Sequence, residues 1–128
     1  MSEPTPRLSH IAPVFSVADL TASLAYYRDR LLFEVRFEWA DAEGAQARYA
    51  ILCRDAVELH LSSGAARNQA TAYCFVEDVD GYYAKVMKAG ANITEALADQ
   101  PWKMREFETR DPDGNALVFG EHLDRIER

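Results

Sequence analysis

The sequence predicts an α+β fold in which two βαβββ repeats form one cupped, mixed sheet. Three observations carry this. An order of strand, helix and three further strands runs through the chain twice. The strand-to-helix junction uses the same word each time, Val17-Ala18-Asp19-Leu20 and Val76-Glu77-Asp78-Val79, which marks an internal duplication. The second copy ends on a hairpin around Asp111-Pro112-Asp113-Gly114-Asn115. There Pro112 fixes its own φ, Gly114 tolerates a positive φ, and the Asx side chains bond nearby backbone.

The elements follow in order. Residues 1–10 hold two prolines and little apolar content, and read as an N-terminal arm. Residues 11–61 make the first half. Its opening strand, 11–17, contains Pro13, which cannot donate to a ladder and so belongs at an edge or a subunit boundary. Asp19 caps a helix with Leu20, Leu24, Tyr27 and Leu31 on one face. Residues 33–37 form a strand, 40–47 a polar loop, and 48–53 with 57–61 a hairpin. Residues 62–70 are small and polar, and read as a linker. Residues 71–121 repeat the order, with a strand at 71–76. Asp78 then caps a helix that turns Val79, Tyr82, Tyr83 and Val86 inward and stops at Gly90. A strand starts at 92–94, a loop leads to Pro101-Trp102, and strands at 104–109 and 116–119 flank the turn. Residues 122–128 are a charged tail. One helix per sheet is too little to cover both faces, so the uncovered faces are expected to form a cleft.

Composition narrows the function. The chain has 128 residues, 48% apolar and 27% charged, the profile of one globular domain. Its net charge of −7 argues against nucleic-acid phosphate as a partner and suits a cationic small molecule. No apolar run reaches membrane-spanning length and no signal peptide is visible, so no membrane partner and a cytoplasmic address are expected. Cys53 and Cys74 lie in apolar strand-like runs and read as buried free thiols.

Several segments carry a family likeness. They are Pro13-Val14 before Ala18-Asp19, Tyr27-Arg28-Asp29-Arg30-Leu31, and Arg54-Asp55-Ala56-Val57. Strongest are Ile93-Thr94-Glu95, Gln100-Pro101-Trp102, Arg105-Glu106-Phe107 and Arg110-Asp111-Pro112, of which the Gln-Pro-Trp and Arg-Glu-Phe words are the more specific and the turn at Asp111 the common one. With the βαβββ duplication, these words resemble the vicinal oxygen chelate superfamily of glyoxalases, bleomycin resistance proteins and dioxygenases, and above all the bleomycin resistance proteins. The likeness runs from about residue 11 to residue 121. It implies a homodimer in which the segment before Val17 exchanges between subunits. One departure is Leu32, where the family usually has glycine, which puts the turn after the first helix in question.

The superfamily's enzymes hold a divalent metal with four ligands, and the resemblance places those on Ala12, Glu58, Thr71 and Val118. Alanine and valine have no donor atom and threonine is a poor ligand. Without metal the Lewis-acid chemistry of the superfamily is lost, and no nucleophile–base pair stands at a readable spacing. No cofactor is therefore expected. The alternative is a rearranged metal site drawn from His10, Glu58, His60 and Glu121.

If Glu58 and Thr71 lie on the concave faces, alternation adds His60, Tyr73 and Phe75. Trp102 borders the same surface, with Phe107 on the strand beyond it. Tyr49 falls where bleomycin resistance proteins carry an aromatic facing that tryptophan. Tyr49, Glu58, His60, Tyr73, Phe75, Trp102 and Phe107 are thus the candidate ligand-binding residues, with Asp41 and Glu43 as charge at the cleft mouth. Aromatic faces suit planar and cationic ligands. The reading is metal-independent sequestration of such a molecule, as in resistance to bleomycin-type antibiotics. The rivals are a metal-dependent enzyme with shifted ligands and a binding module for an endogenous metabolite.

Overall fold

The computed structural model describes residues 5–7, 9–64 and 69–126. Parts of the N-terminal arm (1–4 and 8), most of the linker (65–68) and the end of the tail (127–128) lie outside them. The described chain runs β1 (Val14–Val17), α1 (Leu20–Asp29), β2 (Glu34–Trp39), β3 (Tyr49–Arg54), β4 (Val57–Ser63), β5 (Thr71–Phe75), α2 (Val79–Lys88), β6 (Ile93–Asp99), β7 (Met104–Arg110) and β8 (Ala116–His122), then a short 3₁₀ turn, Leu123–Arg125. The two βαβββ repeats build two mixed four-stranded sheets, ordered β1-β4-β3-β2 and β5-β8-β7-β6. In each, the first strand of the repeat pairs in parallel with the last. β1 pairs with β4 of its own chain.

Local chemistry accounts for the boundaries. Asp19 and Asp78 cap their helices by accepting from the Ala22 and Gly81 amides. Gly90, at φ +89, ends α2 in the left-handed conformation that costs glycine nothing. After α1 the same conformation is taken by Leu32, at φ 66, so the turn survives the loss of glycine with a strained leucine in it. Its carbonyl accepts from Arg54 Nη1 at 2.9 Å.

Each helix covers one face of its own sheet, α1 over β2 and β4, α2 over β6, β7 and β8. Those faces supply one continuous core, with Phe15, Leu52, Leu59 and Leu61 from the first half and Phe107, Leu117 and Phe119 from the second. The Asp111 turn stitches the halves together. Its buried carboxylate accepts from the Tyr27 hydroxyl at 2.9 Å, and Asn115 Nδ2 donates to Ser16 O at 2.9 Å. Asp113 Oδ1 accepts from Ala18 N at 3.0 Å. Among the described residues the opposite sheet faces carry no helix, and they are where the candidate site residues lie.

Candidate functional site: two uncovered aromatic sheet faces

Strand register assigns the uncovered side chains. On the first sheet one row runs Phe37, Ile51, His60, Val14, and the next runs Trp39, Tyr49, Ser62, Ser16. Phe37 reaches this face because the β2–β3 register shifts between Val35 and Phe37. A bulge puts the residues on either side of it on opposite faces: Val35 packs on the core and Phe37 stands exposed. Phe37, Trp39, Arg48, Tyr49 and Ser62 line a cavity of about 290 Å³. Arg48 lies over the Trp39 ring, 5.3 Å from its centroid, and grips Asp41 with two hydrogen bonds of 2.6 and 2.8 Å. Asp41 is thus spent on Arg48, and Glu43 is an exposed loop residue.

Beside this cavity Tyr49 Oη lies 2.6 Å from His60 Nδ1, and His60 Nε2 lies 2.7 Å from Glu58 Oε2. His10 approaches the other Glu58 oxygen at 3.6 Å. The His60 hydrogen bond, first among the causes, holds the Glu58 carboxyl below its ordinary range.

On the second sheet Tyr73, Phe75 and Trp102 stand 39%, 67% and 61% exposed. A polar centre fixes them. Glu106 Oε1 accepts from both Tyr73 Oη, at 2.8 Å, and Trp102 Nε1, at 3.0 Å. Tyr73 reaches it by lying across Gly120, which sits in register between Phe75 and Glu106 and has no side chain to block the ring. Partial burial, then the nearby Glu106 carboxylate, push the Tyr73 phenol well above its ordinary pKa. Phe75 also stacks on His122, with ring centroids 5.6 Å apart.

Two sequence expectations require correction. Phe107 is 1% exposed and contacts the Tyr82, Tyr83 and Phe119 rings. Alternation along β7 turns it to the helix side, and its neighbour Glu106 takes the uncovered face. Glu121 likewise points to the helix side, where its two oxygens accept from the Asp78 and Val79 amides and cap α2, away from His10, Glu58 and His60 at the first sheet. Tyr49, Glu58 and His60 do come together, as do Tyr73, Phe75 and Trp102, but on separate sheets. Glu106, Phe37 and Trp39 are site residues that the sequence reading passed over.

A family model for the Glyoxalase/Bleomycin resistance protein/Dioxygenase superfamily matches residues 7–119. The chain belongs to this superfamily. No curated protein sequence matches it. Among solved structures, the superfamily fold is shared with TioX from Micromonospora sp. ML1, at TM-score 0.77 and 21% identity over 90% of this chain and 99% of that one. It is shared too with the bleomycin-binding protein of Streptomyces verticillus in complex with copper(II)-bleomycin (TM-score 0.73, 24% identity, 90% and 97%). A lactoylglutathione lyase from Agrobacterium tumefaciens superposes at TM-score 0.71 and 18% identity over 95% and 100% of the two chains. At these identities the likeness establishes the fold alone.

The residues at the superfamily's metal positions do not fit a metal. Ala12 and Val118 have no donor atom, and Thr71 is an exposed hydroxyl on the second sheet. Glu58 is already engaged by His60 and His10. Among the described residues no group of three or more His, Cys, Asp or Glu side chains is placed to hold a metal ion.

Proposed function

We propose that this superfamily member binds and sequesters a small planar aromatic or cationic molecule against its uncovered sheet faces, without a metal and without bond chemistry. One observation carries the reading: the Glu106 carboxylate is clasped by Tyr73 and Trp102 amid exposed rings. An exposed apolar surface of this kind marks a binding region. A carboxylate with one oxygen clasped and ring faces around it favours a cation, through charge and through the electron-rich faces. The net charge of −7 draws such a ligand in. The Streptomyces protein holds copper(II)-bleomycin on the same fold, and bleomycin-type antibiotics are the first ligands to try.

The functional unit in this proposal is a homodimer. Tyr49 and Trp102 stand on different sheets of one chain, and a second subunit is the proposed means of bringing one sheet's rings over the other's. A two-fold axis does this for both sites at once. The test is a thermal-shift and tryptophan-quenching series with bleomycin, planar aromatic cations and divalent metals, run beside sedimentation. Quenching and a raised melting temperature with a planar cation, on a dimeric species, are expected. A monomer at micromolar concentration, or stabilisation by divalent metal alone, overturns the reading.

A further inference from the structure

The hydrogen-bond chain Tyr49–His60–Glu58 takes its direction from the His60 tautomer. Glu58 is a carboxylate and only accepts, so His60 Nε2, 2.7 Å away, carries a hydrogen. A neutral imidazole has a single N–H, so Nδ1 presents a lone pair. In that tautomer the Tyr49 hydroxyl, 2.6 Å from Nδ1, donates to it. Its one proton is committed, and only oxygen lone pairs remain for anything in the neighbouring cavity. Tyr49 lines that cavity with Phe37, Trp39, Arg48 and Ser62. The Arg48 guanidinium gives its Nε–H and one Nη2–H to Asp41, and its remaining N–H groups, like the Ser62 hydroxyl, serve a ligand acceptor whether or not the ligand also carries a donor.

We propose that Tyr49 gives this cavity a preference for planar aromatic ligands carrying an O–H or N–H donor, which its oxygen accepts, over ligands of the same shape that offer only an acceptor. The inference rests on the reading of the uncovered faces as ligand surfaces, and it gives the first sheet a preference for hydrogen-bond donors. Tyr49 is the specificity-determining residue. His60 and Glu58 are positioning residues that act through it.

Two measurements test this. Nitrogen-15 spectra of the histidine rings at neutral pH report the His60 tautomer without any ligand. A protonated Nε2 and an unprotonated Nδ1 are expected, and a proton on Nδ1 overturns the proposal. Equilibrium dialysis then compares 2-naphthol with 2-methoxynaphthalene, a donor and its acceptor-only ether. The naphthol is expected to bind about tenfold tighter, the range of one hydrogen bond. Tyr49→Phe should erase the preference by weakening the naphthol. His60→Leu should shrink it from the other side, because the freed Tyr49 proton can now reach the ether oxygen, a gain that mere structural damage would not produce. Equal affinities in the wild type, or a preference that survives Tyr49→Phe, overturn the proposal. If neither naphthalene binds while a planar cation still quenches tryptophan, this inference falls and the binding function stands. If no planar compound of any kind binds, both fall.

Discussion

Gly120→Ala tests how the aromatic face on the second sheet is assembled. A Cβ at this position would strike the Tyr73 hydroxyl, and would lie 2.7 Å from Tyr73 Cζ and 3.1 Å from Cε1. The obstacle is the far end of a side chain that is already 39% exposed, so the ring swings out while β8 holds its place. The loss is the 2.8 Å bond from Tyr73 to Glu106. A hydrogen bond to a charged group contributes roughly 1.5–3 kcal/mol, reduced here by solvent to about 1 kcal/mol. Replacing a strand glycine with alanine returns about 0.5–1 kcal/mol. The two nearly cancel, and the melting temperature should stay within about 3 °C of wild type, since 1 kcal/mol is worth about 4 °C at this size. The phenol reports the change. In the wild type, burial and Glu106 hold Tyr73 protonated well above its ordinary value. Released, it should titrate at about 10. A spectrophotometric alkaline titration of tyrosinate, followed while circular dichroism stays native, should show one more tyrosine ionising in the ordinary range than in wild type. An unchanged titration curve together with a melting temperature lower by about 8 °C or more would mean that the strand yields and Tyr73 stays, and the reasoning would be refuted.

Trp102→Ala should weaken binding of a planar aromatic cation by about tenfold, judged by fluorescence or calorimetry. Its 61% exposed ring contributes little to the core, so melting should hardly change; a large fall in stability at unchanged affinity would make it structural. Tyr27→Phe removes a donor from the buried Asp111 carboxylate and should cost about 1–3 kcal/mol in denaturant unfolding while leaving ligand affinity alone. Cys74 is 8% exposed and burial pushes its thiol up to about 11, so it should resist a thiol reagent at neutral pH until denaturant is added.

The parts of the fold legible in sequence are those set by local chemistry. The two Asp caps, the glycine stop of α2 and the Asp111 turn each act within a few residues and fall where expected. What escaped was set by register. β6 reaches Asp99, well past the residues expected of it, because its two register shifts break the alternation by which a strand is read. The bulge at Arg36 hides Phe37 in the same way. Glu106 was within reach: in Arg105-Glu106-Phe107 the large apolar residue belongs to the core, which leaves the carboxylate to the uncovered face. Glu121 gives no such signal, because nothing local says that it caps a helix whose first residue is 42 positions away.

The stitching around Asp111 also bears on when the protein can finish folding. Tyr27 meets Asp111 across 84 residues, and Ser16 meets Asn115 across 99. A chain emerging from the ribosome makes its first helix early, but the carboxylate that receives the Tyr27 hydroxyl follows only 84 residues later. Until then the first repeat lacks its closing partner and carries an exposed edge that could pair with another nascent chain. Such late-closing, non-local contacts slow folding, and they leave a window in which two copies made on one message are still open to each other.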